Sequence, residues 1–218
     1  MSGKNQISST RCALALSYGE QISVPKELAN SQQQEFDLIS SQYIRDTIAL
    51  LCERETIEAE AIVPVPRAGV ALAEQWIEHR TEKLWTAFGC RKFDSSIFYA
   101  TDDPASRLEH SQMKVGELLE VKDYKNIILI DEAILSGVTM KTAIKSLRNH
   151  GVKKIHVRTI LPPFVNQCPH VIVNYKPTLT MNDDIAKILG ADGFSSLTKN
   201  ELITLRKNQF ICTECVCV

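Results

Sequence analysis

The chain has 218 residues, of which 44% are hydrophobic, and a formal charge of −1. That length and apolar content suit one α/β domain with decoration, or a domain plus a small lobe. The near-neutral balance supplies no basic field for general nucleic-acid binding, and no run approaches the roughly 20 apolar residues that span a bilayer.

The first residues, "MSGKNQISSTRCALALSYGEQ", hold one short apolar patch and no cleavage pattern, so a soluble cytoplasmic protein is expected. "RCALALSYG" (11–19) reads as a strand, and residues 31–58 have the charge density and apolar spacing of a long helix. "AEAIVPVPRAG" (59–69) reads as a strand entering a tight turn, with a helix over 70–80. Residues 82–90 suggest another strand. Residues 91–117 are polar and aperiodic, and are expected to be extended or mobile. "NIILID" (126–131) is a strand, 140–151 a helix ended by glycine, and "KKIHVRTILPP" (153–163) a strand closed by two prolines. Short β-branched strands alternating with helices predict βαβ units around a parallel sheet.

The stretch "IILIDEAILSGVT" (127–139) carries the most chemistry. In an open parallel sheet, ligands bind beyond the carboxyl ends of the strands, and Asp131 and Glu132 stand at such an end. The turn that follows leads into a helix N-terminus, whose N–H groups and dipole attract phosphate. Gly137 permits close backbone approach, and Ser136 and Thr139 add hydroxyls. Acids ahead of a phosphate cradle suit a ribose 5-phosphate. A solvated acidic turn with a capping threonine is the alternative reading.

Seven cysteines are many for this length. Under reducing conditions such residues serve as metal ligands, catalytic groups or core side chains more often than as disulfides. The terminal "ICTECVCV" holds three of them.

"IILIDEAILSGVT" resembles the phosphoribosyl pyrophosphate (PRPP) signature of type I phosphoribosyltransferases: four apolar residues, two acids, two apolar residues, then a small-residue phosphate loop. With "AIVPVPRAGVALAEQW", "RLEHSQMKVGEL", "LRNHGVKKIHVRTILPPFVNQC", "IAKILGADGFSSLTKNEL" and "CTEC", the chain is similar, from about Arg11 to Cys215, to the C-terminal, phosphoribosyltransferase half of the glutamine PRPP amidotransferase family. The resemblance implies a type I phosphoribosyltransferase-like parallel sheet flanked by helices. Its core would cover about 35–165, and a small hood and a cysteine cluster would be built from the N-terminal strand and residues 166–218.

The same resemblance assigns roles. Asp131 and Glu132 would hold the ribose, and Ser136, Gly137, Val138 and Thr139 the 5-phosphate. Pro66, Arg67, Ala68 and Gly69 would form the pyrophosphate loop. Residues 91–117 match a flexible catalytic loop, in which Arg91, Arg107 and Lys114 would offset the charge of departing pyrophosphate. Mg²⁺, bound through diphosphate and sugar oxygens, would be the cofactor. Cys12, Cys168, Cys212 and Cys215 fall where many members hold a [4Fe–4S] cluster, with Zn²⁺ as the alternative; Cys52 and Cys90 read as buried thiols.

The chain also departs from that pattern. Glu132 replaces the second aspartate, Ser136 an arginine, Val138 a hydroxyl residue and Arg67 an acid, and Gln112 stands where arginine is expected. The glutaminase half has no counterpart in these residues. Three readings follow: phosphoribosyl transfer to ammonia, to a partner's ammonia or to another nitrogen nucleophile; a catalytically weakened PRPP- or nucleotide-binding regulatory protein; or a metal-cluster interaction module. A homo-oligomer is implied by the resemblance alone.

Overall fold

The computed structural model describes residues 12–13, 31–89, 104–167, 179–180, 184–206 and 211–216. The strand expected over 11–19 lies outside the described residues, apart from Cys12 and Ala13. Among the described residues, eleven elements follow in order: α1 (Ser31–Arg54), β1 (Ala61–Pro64), α2 (Ala68–Trp76), β2 (Lys83–Leu84), α3 (Pro104–Val115), β3 (Asn126–Asp131), α4 (Val138–Asn149), β4 (Lys154–Thr159), α5 (Ile185–Leu189), β5 (Gly193–Ser196) and α6 (Lys199–Leu205).

The five strands form one sheet in the order β2-β1-β3-β4-β5, and every pairing is parallel. Parallel strands covered by helices on both faces read as continuous apolar runs, which is what "AIVP" and "IILI" provide. The alternation of side chains divides the core in two. Ile62, Ile128 and Ile130 pack with Leu51 of α1, Leu72 and Trp76 of α2 and Leu202 of α6. Val63, Ile127, Leu129, Ile155 and Val157 pack with Val115 of α3, Met140, Ala143, Ile144 and Leu147 of α4, and Leu189 of α5. The two helices beside the central strands are amphipathic by spacing: Gly69, Leu72, Ala73 and Trp76 in α2, and Met140, Ala143, Ile144 and Leu147 in α4, are buried at i, i+3, i+4 and i+7. Full burial of each large apolar chain contributes about 1.5–3 kcal/mol.

Two expectations need correction. Residues 104–115 are helical rather than extended. The helix showed no apolar period because only Ser111 and Val115 of its described side chains are buried, while Leu108 and Met113 face outward. Second, the sheet does not end near residue 165. β5 pairs with β4 over His156–Thr159, so Gly193–Ser196 belongs to the central sheet rather than to a hood. Its sequence, Gly-Phe-Ser-Ser, has no apolar run to announce a strand, and the backbone ladder defines it.

Candidate functional site

In a doubly wound sheet of order 2-1-3-4-5, the chain reverses its winding between β1 and β3, and a crevice opens beyond their carboxyl ends. Both loops at this switch point lie close together. The Val65 N–H donates to the Ile130 carbonyl at 2.9 Å. Gly69 sits so near β3 that a Cβ there would lie 2.6 Å from the Ile130 oxygen, so only glycine permits this approach of α2. The Pro66–Arg67 peptide bond between them is cis.

The N-termini of α2 and α4 follow these two loops. Arg67 is the N-cap of α2 and Gly137 that of α4; neither gives a side-chain capping hydrogen bond. Gly137 has φ +75°, in the left-handed region, and is buried. The first-turn N–H groups of a helix have no intrahelical i−4 acceptors, so the start of α4 offers donors and positive dipole to an anion, whereas at α2 the Gly69 and Val70 N–H groups already donate to the Val65 and Arg67 carbonyls and the dipole remains. The helices away from the crevice differ. Asp184 caps α5, and a reciprocal Thr198–Glu201 capping box closes α6.

Asp131 and Glu132 lie at the end of β3, each 6% exposed. The Glu132 amide donates to Asp131 Oδ1 at 3.0 Å, and the Glu132 carbonyl accepts from Leu161 N–H. Glu132 Oε2 is buried and has no hydrogen-bond partner among the described residues. Burial pushes the Asp131 carboxyl well above the ordinary carboxylate range; the charge of Glu132 and a hydrogen bond with it add to this, while Lys114 and the Glu132 amide oppose it.

The predicted residues are therefore distributed as follows. Asp131 ends β3, Glu132 and Ser136 lie in the β3–α4 loop, Gly137 caps α4, and Val138 and Thr139 begin it; Pro66 lies in the β1–α2 loop, Arg67 caps α2, and Ala68 and Gly69 begin it, with Pro66 buried and Arg67 exposed. Arg107 and Lys114 are half-buried on α3, which packs along α4. Arg91 lies outside the described residues. One residue was missed by sequence reasoning: Ser111, 1% exposed, whose Oγ is 3.0 Å from Thr139 Oγ1. Its spacing with Arg107 and Lys114 (i, i+4, i+7) was the available signal, once a helix is granted there.

The cysteines lie elsewhere. Cys12 and Cys212 form an isolated parallel bridge, in which Ala13 N–H donates to the Cys212 carbonyl at 3.2 Å. The Cys215 carbonyl accepts from Val165 and Asn166, just ahead of Cys168, which is outside the described residues. Cys12 and Cys215 pack in the cluster on the α1–α2 side of the sheet. No three His, Cys, Asp or Glu side chains among the described residues form a group able to hold a metal ion.

Residues 39–188 match the family model for the phosphoribosyl transferase domain, and the chain belongs to that family, whose members are glycosyltransferase-type enzymes. Among curated proteins, the amidophosphoribosyltransferase of Methanocaldococcus jannaschii is 23% identical over 186 residues, which cover 83% of this chain and 39% of that protein. The amidophosphoribosyltransferase of Drosophila melanogaster is 27% identical over 169 residues, 72% of this chain and 30% of that one. The solved glutamine PRPP amidotransferase from B. subtilis, complexed with ADP and GMP, superposes with a TM-score of 0.64 at 15% identity, covering 94% of this chain and 44% of that chain. That likeness shows the fold. The chain spans less than half the length of these relatives. Among the described residues, no helix is long and apolar enough to cross a membrane.

Proposed function

We propose that this chain binds PRPP in the β1/β3 crevice and transfers the phosphoribosyl group to ammonia or another nitrogen nucleophile, releasing pyrophosphate. One observation supports this most: two uncapped helix N-termini flank a buried, underpartnered acid pair at the topological switch point. Each half of the ligand has a counterpart. The N–H groups of Gly137, Val138 and Thr139, with the Ser136 and Thr139 hydroxyls, suit the 5-phosphate. The turn over Pro66, Arg67, Ala68 and Gly69 offers the positive end of α2 and the Arg67 cation to the diphosphate, while the Gly69 N–H holds the turn through the Val65 carbonyl. Asp131 and Glu132 accept from the ribose hydroxyls, and this orients carbon 1 toward the incoming nitrogen. Arg107 and Lys114 approach from α3, where they oppose negative charge on the leaving pyrophosphate and compensate the ionised acids.

Magnesium fits this site by donor chemistry, because both carboxylates are hard oxygen donors and Glu132 Oε2 lacks a partner. When bound, the metal supplies charge neutralisation across the diphosphate. A [4Fe–4S] cluster, with zinc as its alternative, is proposed on Cys12, Cys168, Cys212 and Cys215. Its support is the backbone linkage of the Cys12, Cys212 and Cys215 segments and the path of the chain toward Cys168; the described thiols do not by themselves make a ligand group. Iron, sulfide and zinc analysis of anaerobically purified protein tests it, and metal-free protein would refute it. An ammonia-supplying partner and a homo-oligomer belong to the same proposal.

A second reading, a PRPP- or nucleotide-binding protein with weakened chemistry, is favoured by one specific feature. Glu132 is a methylene longer than the aspartate implied by the family resemblance, and its side chain is buried beside Asp131 with Oε2 lacking a hydrogen-bond partner among the described residues. Pyrophosphate release from PRPP with magnesium, measured across ammonia and a panel of amines and nucleobases, separates the two. Turnover with one nucleophile supports transfer. Binding without turnover on the whole panel supports the second reading, and absence of PRPP binding refutes both.

A further inference from the structure

Arg107, Ser111 and Lys114 occupy positions i, i+4 and i+7 of α3 and so share one helix face. The middle member is the most deeply buried of the three, 1% exposed, and its hydroxyl lies 3.0 Å from that of Thr139 in the first turn of α4. A second link, from Ser146 Oγ to the Gly116 carbonyl at 3.0 Å, fastens the far end of α3 to the same helix. Between them, Val115 packs into the cluster that holds Met140, Ala143 and Leu147. The rotation of α3 about its own axis is thereby fixed, and with it the direction in which the two cations project.

We propose that Ser111 is a positioning residue for the phosphate loop: it sets the direction of the Thr139 hydroxyl and thereby couples phosphate binding to the docking of the cationic face of α3. The inference rests on the PRPP-site reading above. Its chemistry follows from donor and acceptor counting. Either hydroxyl of the Ser111–Thr139 pair can be the donor. A phosphate dianion only accepts, so a bound phosphate requires the Thr139 O–H for itself. Thr139 Oγ1 is then left as acceptor, and Ser111 donates to it. The hydrogen bonds run in one direction, Ser111 to Thr139 to phosphate, and each polarises the next. By linkage, whatever improves phosphate binding through this contact also tightens α3 against α4.

Titration calorimetry with ribose 5-phosphate tests this on four proteins: wild type, Ser111→Ala, Thr139→Val and the double variant. Ser111→Ala is expected to weaken ribose 5-phosphate binding roughly 3- to 10-fold, in keeping with the loss of one hydrogen bond. In the Thr139→Val background the same substitution should change affinity by less than about 2-fold, because the hydroxyl that it positions is gone. Thermal midpoints are recorded alongside, and Ser111→Cys, nearly isosteric and a weaker donor, replaces alanine if that variant folds poorly. An equal loss in both backgrounds would assign Ser111 a general packing role and overturn the proposal. So would unchanged affinity in Ser111→Ala when the wild type binds. Failure of the wild type to bind ribose 5-phosphate would refute the PRPP-site reading, and this inference with it.

Discussion

Two buried acidic sites, Glu55 against β4 and the Asp131–Glu132 pair at the end of β3, are treated in opposite ways by the chain. On β4, Arg158 stands opposite Ile130 and is 6% exposed. Glu55, which follows α1, meets it with both carboxylate oxygens: Oε1 is 3.0 Å from an Arg158 Nη, and Oε2 accepts from Arg158 Nε. The Ile57 amide donates to Glu55 Oε1 as well, and Arg80 binds the Glu55 and Ile57 carbonyls at 3.0 Å each. Burial alone would raise the Glu55 carboxyl, but the Arg158 hydrogen bonds, the Ile57 amide and the charges of Arg158 and Arg80 outweigh it and hold it below the ordinary range. One position beyond Ile130 on β3, Asp131 stands opposite Thr159, and burial, then the charge of neighbouring Glu132, pushes its carboxyl upward. The first acid is satisfied by the protein. In the second pair, Asp131 Oδ1 accepts from the Glu132 amide, and Glu132 Oε2 has no partner among the described residues. The contrast sets a charge paired within the protein beside one left for the proposed ligand.

Glu55→Gln strands a buried guanidinium and should cost about 3–5 kcal/mol in denaturant unfolding, whereas Glu55→Leu with Arg158→Met should cost far less. The sign with pH is fixed by the depressed carboxyl: the Glu55 contribution is present above the unfolded value near 4 and is lost as pH falls through the lower folded value. The gap between wild type and Glu55→Gln should therefore close in acid. A gap that is constant with pH would contradict the pairing.

Smaller effects sharpen the functional side. Gly69→Ala forces a Cβ toward the Ile130 carbonyl, just before Asp131, and should cost about 1–3 kcal/mol of stability together with PRPP affinity. Gly137→Ala places a side chain at φ +75°, roughly 1–2 kcal/mol of backbone strain, while its steric neighbour is only the tip of Leu189 at 3.0 Å. Loss of phosphate affinity without large unfolding is expected there, and calorimetry beside thermal melts reads both. Smallest is Arg54→Ala, which removes a 2.8 Å ion pair with Glu201 whose side chains are 32% and 28% exposed. It should change stability by less than about 1 kcal/mol and leave ligand binding unaltered.

The functional side was the more legible of the two in the sequence. Apolar runs ending in Asp131-Glu132 and a glycine turn announce a strand, an acid pair and a helix start through local chemistry alone. β1, β3, β4 and α4 follow from composition and spacing in the same way. Residues whose roles depend on distant partners were not legible. Glu55 and Arg158 are 103 positions apart and read as surface charges until the sheet brings them together. Ser111 carries no signal of its own, since a serine is common in loops and helices alike. α3 hid because its outward face holds Leu108 and Met113, which obscures any apolar stripe, and β5 hid because Gly-Phe-Ser-Ser has no apolar run.

The account stands most directly on Asp131→Asn, with thermal stability and PRPP affinity measured on the same sample between about pH 5 and pH 8. A raised carboxyl stabilises the fold below its unfolded value near 4, and that stability is lost as pH rises through the folded value. The neutral amide is free of that loss. Asp131→Asn should therefore melt above wild type near pH 8, by a margin that shrinks toward pH 5, and it should lose PRPP binding throughout. A variant that melts below wild type near pH 8, or binds PRPP as tightly as wild type, would contradict the claim that this acid pair is held out of balance for its ligand.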